Sequence, residues 1–316
     1  MTDEKTNCAI VAVIGAPNAG KSTLVNALVG AKVSIVTQKV QTTRARVRGI
    51  VAEGATQLIF IDTPGIFLPR GKGKGRKLDR AMVAAAWEGV EGADQTLLIV
   101  DAPAYLAGET EKGADGKSRA DADRIIEGLK KAGGKAVLAL NKIDGIARPK
   151  LLALAQALND EGVFTDTFMI SAKNGDGLKD LKAFLLSKAP PGPWLYPEDQ
   201  LSDISDRLMA AEVTREKLFL RLHQELPYDL TVETDDWKET KTGIRIEQTI
   251  YVARDGQKGI VLGKGGETLK TIGQAAREEL TEILGRPAHL FIHVKVREGW
   301  AEEAARLRNI GLDPVD

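Results

Sequence analysis

Cysteine and histidine are scarce in this 316-residue sequence, which limits how the chain can be stabilised and what it can bind. The single cysteine, Cys8, cannot form an internal disulfide bond, and its place in an apolar run indicates a small core residue. The three histidines, His223, His289 and His293, do not show the ligand spacing of a zinc site. The composition therefore fits a protein of a reducing cytoplasm.

Long hydrophobic runs and an excess of one charge are also lacking. The first apolar run, Cys8 to Ile14, is too short for a membrane span, and the charged residues before it do not resemble a signal peptide. The chain has 44 basic and 44 acidic residues, so its net charge does not indicate a nucleic-acid partner, and any such surface must be local. At 43 % hydrophobic residues, it reads as a globular protein long enough for two domains.

Apolar strand-like runs alternate with helical patterns as far as about residue 188. The predicted strands are Cys8 to Ile14, Gln57 to Ile61, Thr96 to Val100, Ala136 to Leu140 and Phe164 to Ile170. The predicted helices are Thr23 to Val29, Leu78 to Gly89, Ala120 to Lys131, Leu151 to Asn159 and Leu178 to Ser187. This alternation predicts an α/β domain in which helices cover both faces of a mostly parallel sheet. Ligands of such sheets bind just beyond the carboxyl ends of the strands.

The first strand is followed by the sequence Gly15-Ala16-Pro17-Asn18-Ala19-Gly20-Lys21-Ser22, which is typical of a phosphate-binding loop. Its glycines let backbone N–H groups turn toward a phosphate, and the next helix adds the positive end of its dipole. Lys21 would bring a positive charge to the β- and γ-phosphates, and the Ser22 hydroxyl suits Mg²⁺. The residues expected at the nucleotide are Gly15, Asn18, Ala19, Gly20, Lys21, Ser22 and Thr23.

The second predicted strand is followed by Asp62-Thr63-Pro64-Gly65. The Asp62 carboxylate could hold Mg²⁺ through water, and the Gly65 N–H could meet a γ-phosphate because no side chain blocks its approach. Alone, this tetrapeptide is a common turn. At this distance behind a phosphate-binding loop, it is predicted to sense the γ-phosphate.

Two later motifs indicate that the base is guanine. In Asn141-Lys142-Ile143-Asp144, the Asp144 carboxylate can accept hydrogen bonds from guanine N1–H and the exocyclic amine, whereas adenine presents the opposite pattern. The Lys142 stem could cover one face of the base. In Ser171-Ala172-Lys173, a backbone N–H could meet guanine O6. The residues expected at the base are Asn141, Lys142, Asp144, Ser171, Ala172 and Lys173.

With these motifs in this order, the chain resembles the translation-factor-related GTPases. In that superfamily, a threonine between the first helix and the second strand closes on Mg²⁺ when GTP is bound. Thr42 and Thr43 are both candidates here, and spacing does not separate them, although Thr43 is preferred. The resemblance implies GTP or GDP with Mg²⁺ as ligands, and a metal set of Ser22, Thr43 and Asp62.

The position after Gly65 departs from Ras-like GTPases, which have a glutamine there. This chain has Ile66, whose apolar side chain cannot polarise water, so slow intrinsic hydrolysis is expected. Some related GTPases use an asparagine at the position of Asn18 to help bind K⁺, and K⁺ activation is kept as a hypothesis here. The expected catalytic residues are Asn18, Lys21, Thr43 and Gly65.

Proline and glycine divide the rest of the chain. The run Ala189 to Pro197 cannot continue a helix, and its aromatic residues indicate that it packs. We expect a GTPase domain over residues 1–189, a linker over 190–206, a second domain over 207–300 and a tail over 301–316. Residues 70–76 are predicted to be unordered when free and part of a nucleotide-sensing switch. Residues 108–123 are predicted to be a surface insertion.

The second half of the chain predicts a type II KH domain. A helix over Arg207 to Leu226 is followed by strands at Asp229 to Thr234 and Ile244 to Val252, then by a glycine-rich loop, a helix over Glu267 to Leu284 and a strand over Ala288 to Val296. The loop Gly263-Lys264-Gly265-Gly266 fits a GXXG clamp, which holds the backbone of single-stranded nucleic acid while an apolar groove takes the bases. The expected RNA-binding residues are Ile260, Gly263, Lys264, Gly265, Gly266 and Lys270.

A GTPase domain followed by a type II KH domain resembles the Era family. The segments Gln41 to Arg44, Gly192 to Pro197, Arg215 to Lys217 and Glu225 to Tyr228 are also similar to that family, whereas residues 70–76 and 108–123 depart from it. The resemblance implies a bacterial monomer that binds the 3′ end of 16S ribosomal RNA and acts in maturation of the 30S subunit precursor. It also implies a cytoplasmic location with some peripheral association with the inner membrane.

Two alternatives stay open from the residues. One is an RNA-binding module in which GTP is only a ligand, although the intact nucleotide motifs speak against a degenerate site. The other is a GTPase with a different RNA or a membrane partner. GTP hydrolysis above that of buffer controls would exclude the first alternative. Sequencing of the RNA that copurifies with the protein would test the second.

Overall fold

Six strands of the first half of the chain form one sheet in the computed structural model, which describes residues 6–37, 39, 42–67, 77–108, 113–222 and 226–313. The strands are β1 Asn7–Ile14, β2 Val47–Glu53, β3 Thr56–Asp62, β4 Gln95–Asp101, β5 Ala136–Asn141 and β6 Phe164–Met169. Their order is β2-β3-β1-β4-β5-β6, and only β2 runs antiparallel to its neighbour. The predicted mostly parallel sheet is confirmed.

Helices cover both faces of this sheet. They are α1 Lys21–Val29, α2 Lys77–Glu91, α3 Ala102–Ala107, α4 Ala114–Lys131, α5 Arg148–Asn159 and α6 Leu178–Ser187. Alternate residues of a strand point to opposite faces. In β4, Leu97 and Ile99 therefore pack with α1 and α6, whereas Leu98 and Val100 pack with α3, α4 and α5.

Strand β2 was not predicted from the sequence. It contains Gly49, which lacks the side chain that makes a strand pattern recognisable. A Cβ atom at Gly49 would lie 2.7 Å from Val29 and 2.9 Å from Val25, both in α1. The glycine thus lets α1 pack closely on the sheet.

The segment 108–123, predicted to be a surface insertion, is helical from Ala114 onward. Helix α4 begins at Ala114, six residues before the predicted start at Ala120. Its first two turns carry no apolar face, because the buried residues begin only at Ala122. Polar contacts with Tyr105 of α3 stabilise the start of this helix. The Arg119 guanidinium lies 4.7 Å from the Tyr105 ring centroid, and the Tyr105 hydroxyl donates to Asp123 at 2.6 Å. Residues 70–76, predicted to be unordered, lie outside the described residues.

The linker packs, as its aromatic residues predicted. The buried Gln57 side chain accepts hydrogen bonds from the backbone N–H groups of Leu195 and Tyr196, and the Trp194 indole donates to the Ala55 carbonyl at 3.2 Å. Contacts between residues divide the chain into two compact units. The hydrogen bonds of Gln57 and Trp194 attach the linker to the first unit. The second unit contains Ile35–Thr42, Arg76–Leu78 and Ile204–Asp316.

A three-stranded sheet and its helices form most of the second unit. Its elements are α7 Asp206–Arg221, β7 Leu230–Thr240, β8 Gly243–Val252, α8 Asp255–Leu262, α9 Glu267–Leu284, β9 Ala288–Val296 and α10 Ala304–Asn309. The sheet order is β7-β8-β9, with β7 antiparallel and β9 parallel to β8. Helix α7 ends five residues before the predicted end at Leu226. Helix α8 occupies a stretch over which no helix was predicted.

Residues 301–316 were predicted to be a tail, but their described part contains a helix and buried side chains, and it follows the buried Trp300 at the end of the predicted domain. Trp300 is 2 % exposed, and its indole donates to the Asp229 carbonyl at 3.0 Å. Helix α10 follows, with Leu307 and Leu312 buried. The sequence does not predict this fold, because the apolar residues of the segment are few and spread over a short helix.

Replacing Trp300 by alanine should destabilise the second unit by about 3–5 kcal/mol, since a large buried side chain is lost and a cavity remains. Unfolding in urea, followed by far-UV circular dichroism, measures the loss. Leu220→Ala on α7 is the control, because Leu220 is 59 % exposed and its loss should change the free energy of unfolding by less than about 0.5 kcal/mol. Equal stability of the two variants would show that the C-terminal segment contributes little.

Candidate nucleotide site and nucleic-acid clamp

The phosphate-binding loop joins the end of β1 to the start of α1. Gly20, the residue before α1, has a left-handed backbone with φ of 103°. A Cβ atom there would lie 2.3 Å from the side-chain nitrogen of Asn141, and one at Gly15 would lie 2.5 Å from the Ile99 carbonyl oxygen. Both glycines are therefore needed to fit the loop against neighbouring strands.

Lys21 is buried beneath the loop, where its amine donates to the carbonyls of Gly15 at 3.1 Å and Ala16 at 2.9 Å. Burial lowers the pKa of Lys21 to about 8, and the charge of Asp62 opposes this shift. Burial likewise raises the pKa of Asp62, against hydrogen bonding from Ser22 and the charge of Lys21. The two opposite charges thus share a dry environment in which each weakens the penalty of the other.

Oxygen atoms of the three predicted metal ligands lie together. The hydroxyls of Ser22 and Thr43 are 2.7 Å apart, and the Thr43 hydroxyl donates to Asp62 Oδ2 at 3.4 Å. Within the described part of the chain, buried Oδ1 of Asp62 has no hydrogen-bond partner. Hydroxyl and carboxylate oxygens with a spare buried acceptor fit Mg²⁺, a hard cation that prefers oxygen ligands.

The structure separates the two candidate threonines. Thr43 is buried and faces Ser22 and Asp62. The Thr42 hydroxyl is instead engaged by the Thr37 hydroxyl at 2.6 Å and the Lys39 carbonyl at 2.7 Å. This geometry favours Thr43 as the residue for Mg²⁺.

Gly65 lies directly against the phosphate-binding loop. A Cβ atom at Gly65 would come within 2.9 Å of the Pro17 backbone, so only glycine fits. The next residue, Ile66, donates its N–H to the Gly15 carbonyl at 3.1 Å and is 2 % exposed. Its side chain belongs to the core and has no polar atom with which to orient a water.

The guanine motif is bonded both to the phosphate-binding loop and to the Ser171 motif. The buried Asn141 amide donates to the Ala19 carbonyl at 2.8 Å, and its oxygen accepts from the Ala172 N–H at 2.9 Å. Asp144 accepts from the Ser171 hydroxyl at 2.8 Å. Asn141 therefore positions the loops, a role that the motif alone does not reveal. Lys173 is exposed.

In the second unit, the clamp loop connects α8 to α9. A Cβ atom at Gly263 would lie 2.1 Å from the Thr268 hydroxyl oxygen, so this glycine is needed for the turn. Gly265 and Gly266 are left-handed, with φ of 62° and 81°, and nothing lies within 4 Å of a Cβ atom at either. They leave open space in which a sugar-phosphate backbone can approach. Three predicted RNA-binding side chains near the loop are exposed: Ile260, Lys264 and Lys270.

A matched pair of glycine substitutions tests the phosphate-binding loop. Gly20 and Gly30 flank α1, and both have left-handed backbones, but nothing lies within 4 Å of a Cβ atom at Gly30. Gly20→Ala should displace Asn141 and weaken GDP binding by about tenfold or more, whereas Gly30→Ala should cost only about 1 kcal/mol of stability. Calorimetric titration with GDP compares them. Equal affinities would show that the close approach at Gly20 is not required.

The lowered pKa of Lys21 predicts a pH dependence of nucleotide binding. A bound phosphate would favour the charged amine, so the pKa of Lys21 should rise on binding. Below pH 8 the amine is charged in both states, and above it binding must take up a proton. GDP affinity should therefore fall above pH 8, by up to about tenfold per pH unit. Titrations at pH 8.8 in buffers of different ionisation enthalpy measure the proton taken up, and no uptake would contradict the prediction.

Comparisons with known proteins find the same two kinds of domain. A family model described as a 50S ribosome-binding GTPase matches residues 10–142, and one described as a KH domain matches residues 225–301. The GTPase Era of Caulobacter vibrioides is 60 % identical over 99 % of this chain and 98 % of its own length. The GTPase Era of Rhizobium meliloti is 56 % identical over 98 % of this chain and 93 % of its own length.

Two solved structures extend the similarity to three dimensions. One is an Aquifex aeolicus Era variant bound to GDP and AlF₄⁻, and the other is Era in complex with MgGDPNP and nucleotides 1506–1542 of 16S ribosomal RNA. Each is 35 % identical to this chain, with a TM-score of 0.86 over 97 % of this chain and 99 % of the solved one. The chain therefore belongs to the Era family of GTPases and consists of a P-loop GTPase domain, with a mostly parallel sheet, followed by a KH domain.

Proposed function

We propose that this GTPase is a nucleotide-dependent switch that binds the single-stranded 3′ end of 16S ribosomal RNA and acts in maturation of the 30S subunit precursor. The observation that carries the proposal is the clamp loop, where two left-handed glycines leave open space beside the exposed Lys264. The solved relative in complex with nucleotides 1506–1542 of 16S ribosomal RNA supports this choice of RNA.

The chemistry around the clamp favours single strands. A sugar-phosphate backbone can lie against Gly265 and Gly266 without steric conflict, and the Lys264 amine can pair with a phosphate. Ile260, which is 58 % exposed on α8, offers an apolar surface to an unstacked base. A duplex keeps its bases paired and so could not use that surface.

The nucleotide site is proposed to take GTP or GDP with Mg²⁺. The residues that would hold the ion are Ser22, Thr43 and Asp62, and the bound ion would supply positive charge to the phosphates. The solved relative with MgGDPNP supports this set of ligands. Base selection would rest on Asp144, whose carboxylate is oriented by the Ser171 hydroxyl.

Hydrolysis is proposed to be slow without an activator. Lys21 and the Gly65 N–H would bind the oxygens of the transferred phosphate. Thr43 would close on Mg²⁺ when GTP is bound. Ile66 is buried and apolar, so the position after Gly65 cannot orient the attacking water. Additional charge would have to come from elsewhere, either from K⁺ near Asn18 or from a bound partner.

Location and assembly are proposed on the family resemblance. We infer a cytoplasmic monomer with some peripheral association with the inner membrane. Among the described residues, no helix combines the length and apolar character that crossing a bilayer requires.

The affinity for a short RNA matching the 3′ end of 16S ribosomal RNA tests the switch. Fluorescence anisotropy at a fixed salt concentration would compare the protein with a non-hydrolysable GTP analogue and with GDP. We expect binding at least about tenfold tighter with the analogue, a typical allosteric coupling. Equal affinities would refute the switch, and absence of binding in both states would refute the choice of RNA.

Two double variants of equal charge change separate the clamp from general electrostatics. Lys264→Asp with Gly265→Asp should abolish RNA binding, because both pairing with phosphate and close approach are lost. Lys241→Asp with Thr242→Asp changes the charge equally at the hairpin between β7 and β8 and should bind RNA normally. GTP hydrolysis without RNA should persist in both variants. Equal loss of RNA binding in the two would show that overall charge, and not the clamp, controls affinity.

A further inference from the structure

Asp101 is a charged residue of the nucleotide domain that belongs to none of the sequence motifs. It is the last residue of β4 and the N-cap of α3, where its Oδ1 accepts from the Ala104 N–H at 3.1 Å. Its side chain is 10 % exposed. The helix cap uses one carboxylate oxygen, and the other is available for a second hydrogen bond.

That second oxygen, Oδ2, accepts from the amine of Lys142 at 2.5 Å. The same amine donates to the Asn18 carbonyl at 3.0 Å. Lys142 is the lysine of the guanine motif, and Asn18 lies in the phosphate-binding loop. The amine is therefore held between the end of β4 and the loop that surrounds the phosphates.

The hydrogen bond from the Lys142 amine to the Asn18 carbonyl joins two residues with strained backbones. Among the described residues, Asn18 and Lys142 are the two non-glycine residues with positive φ, and both have φ of 63°. Such conformations are costly and persist where surrounding contacts determine them, which is common at ligand sites. The Lys142 amine joins these two strained residues, and Asp101 supplies its charged partner.

The neighbouring residue makes a parallel connection. Asn141 donates to the Ala19 carbonyl, so consecutive residues of the guanine motif hold consecutive carbonyls of the phosphate-binding loop. Asn141 is buried and fixed from both sides by its own hydrogen bonds. Lys142 has a long flexible stem, which needs an external anchor to stay in one conformation.

We propose that Asp101 is a positioning residue for guanine-nucleotide binding, acting through Lys142. Its carboxylate fixes the Lys142 amine, so that the lysine stem is preorganised to cover one face of the guanine and the Asn18 carbonyl is held in place. This inference rests on the nucleotide site proposed above and adds a residue that orients it. Base selection remains with Asp144, so the loss of Asp101 weakens all guanine nucleotides without changing the preferred base.

Asp101→Asn isolates the proposed role. Asparagine is as good an N-cap as aspartate, so α3 keeps its cap while the Lys142 amine loses its charged partner. The dissociation rate of a fluorescent GDP, chased with excess GDP, should rise on the order of tenfold, as expected for one lost charge-assisted hydrogen bond. The melting temperature should change little, and the preference for guanine over xanthine should be retained.

Three further variants give the result a single interpretation. Asp123→Asn removes a carboxylate from α4 that bonds Tyr105 and not Lys142, and should leave dissociation unchanged. Asp144→Asn should shift preference toward xanthine nucleotides, unlike Asp101→Asn. In a Lys142→Met background, Asp101→Asn should have no further effect on dissociation, because its route of action is already removed.

The possible results separate this inference from the proposed nucleotide site. If the unmodified protein failed to bind guanine nucleotides, the site itself would be refuted. If it bound them, and Asp101→Asn dissociated at the unmodified rate while Asp101→Ala dissociated faster, Asp101 would be a helix cap alone. A full effect of Asp101→Asn in the Lys142→Met background would also overturn the inference, since the effect would not pass through Lys142.

Discussion

The parallel pairing of β1 with β3 and β4 is the constraint on which the nucleotide site depends. Parallel strands end at the same edge of a sheet, so residues far apart in sequence meet there without further design. The phosphate-binding loop follows β1, Gly65 follows β3, and Asp101 ends β4. The next strand, β5, adds Asn141 at the same edge. A one-residue shift of any strand would turn these side chains to the opposite face of the sheet.

Burial of charge is the second physical feature of this site. Lys21 and Asp62 are both almost completely buried. Desolvation favours the neutral form of each group, so it lowers the pKa of Lys21 and raises the pKa of Asp62. Charges kept in such surroundings respond strongly to a new charged neighbour, because little solvent screens the interaction. A phosphate beside Lys21 and a cation beside Asp62 would each relieve a desolvation penalty. The same burial that destabilises the isolated groups therefore favours binding of a metal–nucleotide complex.

The sequence predicted the fold and the motifs well where the signal is local. The motifs at the strand ends can be recognised in the sequence, because their glycine, lysine and carboxylate residues follow apolar runs at fixed spacings. The misses share a different cause. Strand β2 contains Gly49, α4 begins with two turns that carry no apolar face, and the residues around Trp300 have too few apolar neighbours to show a period. Asp101 was missed because its importance lies in a contact with Lys142, which is distant in sequence.

The folded C-terminal segment determines where the RNA-binding part of the chain ends. The buried residues Leu307, Ile310 and Leu312 lie beyond residue 300, where the predicted helices and strands placed the domain end. A fragment ending at residue 300 would expose the apolar surface that these side chains cover and would be prone to aggregate. A soluble fragment for study of the KH domain therefore has to extend at least to Leu312. The shortest stable form of this domain is longer than its recognisable motif.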